Sequence, residues 1–429
     1  MGREFDLVVI GGGLSGITAA ELAAKLGMKV ALVEKMSLGG NYINYDVPMA
    51  AMHEALVESG GQNALRRHPS LMTLRGRAKA AVTKERRSPQ KLRDLGINIF
   101  NGTAHFIDKT SVAVGNRRLS ARHFIIATGS APRLDLANIE SVHTLTPSLA
   151  LQRGRTPREV IVIGAGAAGC ELASLFAAVG SKVTLLDKAS RILPDVETEI
   201  AKQFATKLSK RYGVRTHTNS QAVALQRQGD RKVVHLSNGR THAADEIILA
   251  MGATPQLDLE LHNAGIKVVR GQITVDENLR TTNKKVFVIG SCRGGRAGAA
   301  RSLQEARLAV INIMNRMQKA YMQYSVVDTL LLGDEELAQI GLPESECKRR
   351  KLRYQVFVRD SLKLITTGGS GKKNQILGAT LLAPNAELIL LPIALATRTG
   401  ISIQELNLPT SALSANYIMQ SVIHDILKV

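Results

Sequence analysis

Residues 5–34, FDLVVIGGGLSGITAAELAAKLGMKVALVE, decide the fold of this chain of 429 residues. The β-rich run FDLVVI precedes a glycine turn, a segment with apolar residues at helical spacing, and a second strand-like run, KVALVE. The turn has the GxGxxG spacing at Gly11, Gly13 and Gly16. In that spacing the first glycine allows a tight turn, the second lets the backbone approach a pyrophosphate, and the third lets the helix pack on the strand. The stretch predicts a strand–turn–helix–strand unit whose helix N-terminus offers free N–H groups to phosphates.

The same pattern recurs at residues 159–187, EVIVIGAGAAGCELASLFAAVGSKVTLLD. The glycine spacing is repeated by Gly164, Gly166 and Gly169. Asp187 follows the first of these glycines by 23 residues, as Glu34 follows Gly11, and both acids are placed to accept hydrogen bonds from a ribose. One such glycine motif is weak evidence of a dinucleotide site. Two copies, each within a strand–turn–helix–strand unit that ends in an acid, are strong evidence. Two dinucleotide sites in one chain indicate a flavin enzyme that a nicotinamide nucleotide reduces.

Other strand-like runs end in turns of small residues. HFIIATGSAPR (His123–Arg133) contains such a turn at Thr128 and Gly129, and TTNKKVFVIGSC (Thr281–Cys292) ends in another. Both turns are suited to lie against the backbone of a cofactor. EIILAMGATPQ (Glu246–Gln256) repeats the theme beside the second glycine motif.

The bulk composition sets limits on the class of protein. No apolar run approaches the roughly 18 residues of a spanning helix, and LILLPIALA at 388–396 is short, contains Pro392 and is expected to be core. The sequence enters a strand at once, which leaves no room for a secretory signal. Three widely separated cysteines form no CxxC pair and argue against a disulfide framework. We therefore expect a cytoplasmic protein.

The charge of the chain is unusual, with a formal net value of +20 at pH 7. Ten lysines and arginines lie between residues 66 and 93, and the acids in and beside that segment are Glu85 and Asp94. Such a field attracts nucleic acid, anionic membranes or acidic partners and says nothing about the fold. Solvated faces explain the same charge, and the aromatic content of 3% offers little for nucleic-acid recognition. No histidine spacing suggests a metal site, so we predict none.

Over its full length the chain resembles the pyridine nucleotide-disulfide oxidoreductases, the group of dihydrolipoamide dehydrogenase, glutathione reductase and mercuric reductase. Besides the two glycine motifs and the ATG turn at 127–129, VDENLRTTNKKVFVIGS resembles the third FAD motif of the family. ILGATLLAPNAELILLPIALATRTGISIQEL resembles its dimerisation domain. The resemblance implies an α/β fold with two Rossmann-like dinucleotide-binding domains and a C-terminal α+β dimerisation domain. The expected boundaries are 1–145 (FAD, first part), 146–265 (NAD(P)), 266–322 (FAD, second part) and 323–429 (dimerisation).

The resemblance implies two cofactors, FAD and NAD(P)H, and a homodimer. Asp187 favours NADH, while Lys188 and Arg191 leave NADPH open. The predicted FAD-binding residues are Gly11, Gly13, Leu14, Ser15, Gly16, Glu34, Lys35, Gly40, Asn41, Ala104, Thr128, Gly129 and Ser291. The predicted NAD(P)H-binding residues are Gly164, Gly166, Ala167, Ala168, Glu171, Asp187 and Gly252.

The departures from the family concern the residues that reduce disulfides. After its Gly–Gly the family has two cysteines four residues apart and then a lysine. Here the text is GGNYINYDVPMA, with Tyr42 at the first cysteine, a gap beside Asp46 at the second, and Ala50 at the lysine. That lysine pairs with a glutamate that is present here as Glu171, which therefore lacks its expected partner.

Two other family motifs have also changed. The C-terminal His-Pro-Thr-x-x-Glu reads LPTSAL, with Leu408 and Leu413 in place of the acid/base pair. The Gly-Asp of the third FAD motif is Gly290-Ser291, which removes a carboxylate that would bind the ribityl chain. Disulfide chemistry needs a thiolate and a base. Dithiol reductase activity is therefore excluded, and we predict no catalytic side chain.

Two hypotheses of function remain open. The first is an FAD-dependent oxidoreductase that passes electrons from NAD(P)H to a small-molecule acceptor such as a quinone, oxygen or another nucleotide. Tyr42 and Tyr45 then form an aromatic wall near the flavin, or simply fill the volume of the lost cysteine loop. The second is a catalytically degenerate scaffold that binds an anionic partner, namely nucleic acid, membrane or acidic protein, through the basic segment 66–93.

Overall fold

The computed structural model of the chain describes residues 4–60, 69–294, 298–315, 327–368 and 374–406. The first three residues of the basic segment, 66–68, and LPTSAL at 408–413 lie outside the described residues. The chain forms two compact units of three segments each. Unit 1 comprises Met1–Pro48, Lys79–Pro132 and Ala253–Met322, and unit 2 comprises Met49–Ala78, Arg133–Gly252 and Gln323–Val429.

The helices within the described residues are α1 Leu14–Lys25, α2 Val47–Glu58, α3 Leu71–Glu85, α4 Pro89–Asp94, α5 Pro147–Ala150, α6 Ala167–Ala178, α7 Thr198–Lys210, α8 Ala299–Met314, α9 Glu344–Arg349 and α10 Ala386–Thr399. A π-helical turn lies at Tyr42–Asp46, and 3-10 turns lie at Ile139–Ser141, Gly290–Arg293 and Ile403–Leu406. The strands are β1 Phe5–Ile10, β2 Val30–Glu34, β3 Asn98–Asn101, β4 Ala104–Asp108, β5 Ser111–Val114, β6 Arg117–Ile126, β7 Ser130–Pro132, β8 Glu159–Ile163, β9 Lys182–Leu186, β10 Arg215–His217, β11 Ala222–Gln228, β12 Arg231–Leu236, β13 Thr241–Ala244, β14 Glu246–Leu249, β15 Ala253–Pro255, β16 Val268–Val269, β17 Gln272–Ile273, β18 Val286–Val288, β19 Asp328–Leu332, β20 Glu335–Gly341, β21 Tyr354–Arg359, β22 Leu362–Thr367 and β23 Ile376–Ala383.

The main sheet of unit 1 has β1 in its interior. Its parallel part has the order β3-β2-β1-β6-β18, and the first half of β6 pairs antiparallel with β5, which pairs with β4. Leu7 and Val9 pack with residues of α1 and α8 on one face, while Val8 and Ile10 pack with Phe124 and other residues on the opposite face. Burial on both faces explains why FDLVVI is a continuous apolar run.

Unit 2 repeats this design at residues 159–249. A parallel sheet has the order β10-β9-β8-β14, and β11, β12 and β13 form a separate antiparallel sheet. Ile161, Ile163 and Leu186 of the parallel sheet pack with Leu225 and Val234 of the antiparallel one. The structure confirms the predicted α/β class with two Rossmann-like parts.

The C-terminal part of unit 2 is an antiparallel sheet in the order β19-β20-β23-β22-β21, against which α10 packs. Leu390, Ile393 and Ala396 of α10 are buried. The expectation that the whole run 388–396 belongs to the core was wrong, because three leucines on the other side of the helix are exposed: Leu388 by 64%, Leu391 by 48% and Leu395 by 60%. The run instead lies in one helix, of which one face is buried against the sheet and the outer face is apolar and exposed.

The compact units are not the same divisions as the domains expected from the resemblance, whose boundaries at 145, 265 and 322 stay a prediction. Unit 1 gives way to unit 2 after Pro132 and resumes at Ala253. The segment Met49–Ala78 also belongs to unit 2. Across the part of the chain that the structure describes, no helix combines the length and apolarity needed to cross a bilayer.

Candidate functional site

The first glycine turn has the geometry that each glycine of the motif was expected to provide. Gly11 has a φ of +109°, and a Cβ there would lie 2.2 Å from the carbonyl oxygen of Ala127. A Cβ at Gly16 would lie 1.9 Å from the oxygen of Gly11, so this glycine brings α1 against the turn. At Gly13 a Cβ would meet no described atom within 4 Å. The middle glycine therefore faces open space at the point where α1 begins with Leu14.

The second glycine turn has almost the same geometry. A Cβ at Gly164, where φ is +105°, would lie 2.2 Å from the oxygen of Ala250, and one at Gly169 would lie 1.8 Å from the oxygen of Gly164. Gly166 again faces open space among the described residues. No described side chain caps the N-terminus of α1 or of α6. Both turns therefore leave uncapped backbone N–H groups beside a space without side chains, which fits a pyrophosphate at each.

The acid at the end of the second strand is tied to the glycine turn in both copies. Glu34 accepts the N–H of Gly12 at 2.6 Å with one carboxylate oxygen and the N–H of Met36 at 2.7 Å with the other. Asp187 accepts the N–H of Ala165 with one oxygen and that of Ala189 at 2.6 Å with the other. Each carboxylate is thus fixed beside its turn. The lone pairs that these bonds leave are the ones available to ribose hydroxyls.

The segment after β2 lies beside the first turn. The N–H of Gly39 donates to the oxygen of Gly12 at 2.7 Å, and a Cβ at Gly40 would lie 3.2 Å from the Cα of Gly13. Asn41 follows in exposed α-helical backbone. The predicted residue Gly40 is therefore next to Gly13, and Asn41 is the residue that follows it.

The third predicted FAD segment also meets the first turn. Gly290 has a φ of +74°, and a Cβ there would lie 2.6 Å from the hydroxyl of Ser15, which is buried. The Oγ of Ser291 lies 3.7 Å from the position of a Cβ at Gly129. The structure thus brings together Ser15, Gly129 and Ser291, which are far apart in sequence.

The side chains of two predicted polar residues of the FAD site donate hydrogen bonds to one glutamine, which sequence reasoning missed. The hydroxyl of Thr128 donates to the carbonyl oxygen of Gln256 at 2.6 Å, and the ammonium of Lys35 donates to its side-chain oxygen at 2.6 Å. The N–H of Gln256 donates in turn to the oxygen of Gly129. Thr128 and Lys35 therefore hold Gln256, the residue that follows β15, beside the predicted site. Gln256 belongs to no motif that could have identified it.

Ala104 begins β4, which pairs with β5 at the opposite end of the sheet order from β3. It is buried at the start of β4, three residues after Asn101, which pairs with Glu34. The N–H of Gly102 donates to the oxygen of Glu34 at 2.9 Å. Ala104 therefore follows the turn that adjoins the acid.

The predicted NAD(P)H residues of unit 2 divide into two groups. Ala167 and Ala168 form the start of α6, and Gly252 lies in an exposed turn with a φ of +92° where a Cβ would meet no described atom. These residues border the second turn or the end of β14. Glu171 is different, because it is buried and its carboxylate accepts the backbone N–H of Leu331 at 3.0 Å.

Glu171 therefore has a partner, contrary to the expectation from the sequence. Ala50, at the position of the family lysine, is exposed on α2. The glutamate instead binds the main chain of β19, so it connects α6 to the C-terminal sheet of unit 2. Its structural role is clear from this contact, while a role in binding a nucleotide stays a prediction.

Arg191, a candidate for binding the 2′-phosphate of NADPH, donates its hydrogen bonds to its own loop. Its guanidinium donates to the carbonyl oxygens of Leu193 at 2.7 Å, Pro194 at 2.6 Å and Val196 at 3.0 Å. These bonds close the loop that follows Asp187. A guanidinium used in this way has fewer donors left for a 2′-phosphate.

The stretch that replaces the cysteine pair forms the π-helical turn Tyr42–Asp46. Tyr45 is buried, whereas Tyr42 is half-buried and its hydroxyl is hydrogen-bonded to Glu85. Burial, together with the negative charges of Glu85 and Asp46, raises the pKa of the Tyr42 phenol, so it stays protonated. The turn thus presents a neutral phenol where the family has a thiol.

The three cysteines of the chain are all buried and unpaired. Burial raises the pKa of each thiol, and that of Cys292 reaches about 11. The thiols of Cys170 and Cys292 donate to backbone oxygens, Ala165 at 3.4 Å and Ile289 at 3.1 Å. None has the exposed, electropositive surroundings of a reactive thiolate. Within the described residues no cluster of three or more potential metal ligands occurs.

Comparison with known proteins agrees with this geometry. The family model for pyridine nucleotide-disulphide oxidoreductases matches residues 5–323. The chain is 30% identical to the dihydrolipoyl dehydrogenase of Geobacillus stearothermophilus, over 95% of this chain and 93% of that protein. It is 31% identical to the soluble pyridine nucleotide transhydrogenase of Pseudomonas aeruginosa (strain LESB58), over 82% and 80%.

A solved structure has the same fold. The Cu(II) complex of the HOCl-induced flavoprotein disulfide reductase RclA from Escherichia coli superposes with a TM-score of 0.84, at 24% identity, over 99% of this chain and all of that one. FAD and NAD(P)H are the cofactors of the family, and the two glycine turns fit them. The chain therefore belongs to the pyridine nucleotide-disulphide oxidoreductase family, whose members are FAD-dependent oxidoreductases of pyridine nucleotides.

Proposed function

We propose that this protein oxidises NADH and passes the electrons through bound FAD to an acceptor that is not a disulfide, such as a quinone, oxygen or another nucleotide. The observation that carries the proposal is the state of the thiols. Tyr42 occupies the position of the first family cysteine, and all three cysteines are buried with raised pKa values. Without a thiolate, electrons must leave the flavin directly.

The two glycine turns supply the binding groups for this activity. The turn at Gly11–Gly16, with Glu34, Ser15 and the Gly290-Ser291 turn, would hold FAD in unit 1, and the turn at Gly164–Gly169 with Asp187 would hold the nicotinamide nucleotide in unit 2. When bound, FAD accepts a hydride from a reduced nicotinamide and passes electrons onward, a chemistry that needs no protein nucleophile. The chain's own residues need only bind and orient the cofactors and exclude water.

The second copy of the acid geometry favours NADH as the donor. Asp187 offers carboxylate oxygens to a 2′-hydroxyl but would repel a 2′-phosphate. Arg191, the nearby guanidinium, is held by three carbonyl groups of its own loop. Lys188 is exposed and is the remaining cation on this segment. The soluble transhydrogenase, to which the chain is 31% identical, shows by its name that an acceptor in this family can be a nucleotide.

A second candidate function rests on the basic segment 66–93. In its described part, Arg77, Lys79 and Lys84 of α3 and Lys91 and Arg93 of α4 are exposed. A scaffold that binds an anionic partner would use this surface. Such a protein would need no catalytic turnover of FAD. Reduction of bound FAD by NADH therefore separates the two candidate functions.

The deciding experiment is an absorbance spectrum of the purified protein, followed by anaerobic addition of NADH and then of NADPH. We expect flavin absorbance bands at about 450 nm, and we expect NADH to bleach them faster than NADPH does. Turnover should then be seen with a quinone, oxygen or a nucleotide analogue, and not with lipoamide or glutathione disulfide. Steady reduction of either disulfide would contradict the proposal. A colourless protein that cannot be reconstituted with FAD would favour the scaffold.

A further inference from the structure

A buried carboxylate lies behind the third FAD segment and was not among the predicted site residues. Glu305, on α8, is 2% exposed, and its Oε2 accepts the backbone N–H of Gly290 at 2.7 Å. Its Oε1 is paired with the guanidinium of Arg293 and with Nε of Arg301 at 3.1 Å. One side chain thus holds the first residue and the last residue of the 3-10 turn Gly290–Arg293.

The position of that turn makes its shape important for the cofactor site. Gly290 lies against Ser15 of the first glycine turn, and Ser291 lies near Gly129. The turn therefore contacts two other segments of the predicted FAD site, the first glycine turn and the turn at Thr128 and Gly129. A buried hydrogen bond to a carboxylate is worth more than one to a neutral group. Losing it would release the turn from α8.

The charges at this turn differ from those of the family pattern. Ser291 stands where the family has an aspartate, so one negative charge is absent. Glu305 is paired with both nearby guanidinium groups, those of Arg293 and Arg301. The Nε of Arg293 and the Oε1 of the neighbouring Gln304 are buried and have no hydrogen-bond partner among the described residues. The turn and its neighbour on α8 therefore hold polar atoms that no described residue satisfies.

We propose that Glu305 is a positioning residue of the FAD site. It fixes the Gly290–Arg293 turn from behind, so that the turn keeps its shape without a carboxylate at position 291. The charges of Glu305 and of the two guanidinium groups adjoin this turn, so removing one of them should shift the reduction potential of flavin bound there, since a nearby cation favours the addition of electrons. This inference rests on the proposed function in one respect, namely that FAD binds at the first glycine turn.

The test is the FAD content and the flavin midpoint potential of the whole protein, measured by equilibration with a redox dye so that no nicotinamide is needed. Glu305→Leu removes the hydrogen bond to Gly290 and should weaken FAD binding by about tenfold or more. Glu305→Gln keeps an acceptor for Gly290 but removes a negative charge, so it should retain FAD and raise the potential. Arg293→Gln and Ser291→Asp should lower the potential.

The matched control is Arg307→Gln, which makes the same change on an exposed residue of the same helix and should leave both readouts unchanged. Shifts of opposite sign for Glu305→Gln and Arg293→Gln are not expected from a purely structural role. If the wild-type protein binds FAD and these variants match it in occupancy and potential, the inference is overturned while the proposed function stands. If the variants behave as expected but NADH does not bleach the flavin, the proposed function fails and the inference stands. A wild-type protein that takes up no FAD overturns both.

Discussion

Glu171 on α6 accepts the backbone N–H of Leu331 on β19 at 3.0 Å, and this bond joins the second Rossmann-like part to the C-terminal sheet of unit 2. The carboxylate is buried, and the hydrogen bond that it accepts is partly buried. In the family pattern the same glutamate pairs with a lysine that this chain replaces with Ala50. In this chain the residue binds the main chain of β19.

We expect Glu171→Ala to destabilise unit 2 by about 1–3 kcal/mol, because it removes the acceptor of a partly buried N–H group and the bond between α6 and β19. Glu171→Gln retains an acceptor oxygen and should cost less. The measurement is urea unfolding of both variants, followed by titration of the folded proteins with NADH. A large loss of NADH affinity with unchanged stability would assign Glu171 to the nucleotide site and contradict a structural role.

The sequence predicts the parts of the site that depend on local backbone geometry. Gly11 and Gly164 need a positive φ and a close approach to the neighbouring strand, and this requirement is visible as glycine at fixed spacing. Partners that come from distant segments are not visible in this way. Gln256 and Glu305 act on the FAD site through contacts that only the tertiary structure creates.

The burial of α10 could not be predicted from composition for a related reason. LILLPIALA is apolar on every side, so its periodicity does not indicate which residues face the sheet. The structure buries Leu390 and Ile393 and exposes Leu391 and Leu395, because the helix lies on one face of a single sheet. The outer face then needs a second element to cover it.

Asp187→Asn should weaken NADH binding by about tenfold and reduce the preference for NADH over NADPH, because the amide loses the charge and keeps one acceptor oxygen for the N–H of Ala165 or of Ala189. Dissociation constants from flavin-independent fluorescence titration of both nucleotides would measure this. Asp195→Asn, an exposed acid on the same loop, is the control. An unchanged preference in Asp187→Asn would show that specificity arises elsewhere.

Lys363 should be the most costly single charge to remove in the chain's described residues. Its buried ammonium donates to Glu197 at 2.7 Å, Glu199 at 2.9 Å and Glu344 at 2.6 Å. Lys363→Met leaves three carboxylates without this cation and should destabilise the protein by about 3–5 kcal/mol. Lys348→Met removes an exposed lysine that also binds Glu344 and should cost much less. Chemical unfolding at neutral pH compares them.

The same cluster predicts an acid transition. Hydrogen bonds from Lys348 and Lys363 hold the pKa of Glu344 at about 2, below its ordinary value of 4.5. A carboxyl group with a lowered pKa contributes stability that is complete above the ordinary value and is lost as the pH falls toward the folded value. Stability should therefore fall between pH 4.5 and about 2, and the slope should be shallower in Lys363→Met. Equal slopes in the two proteins would show that this cluster does not control the transition.

The exposed leucines of α10 predict a dimer of this chain. Leu388, Leu391 and Leu395 recur at helical spacing on one face, and each is about half exposed, so burial against a second copy would contribute roughly 1 kcal/mol for each leucine. We expect the wild-type protein to sediment with twice the mass of one chain. Leu391→Glu combined with Leu395→Glu should give monomers, because the introduced carboxylates would be buried without partners. Ile107→Glu, which places the same charge at an exposed apolar residue of β4, should leave the dimer intact. A double variant that remains dimeric would assign the interface to another surface and leave the outer face of α10 exposed to solvent.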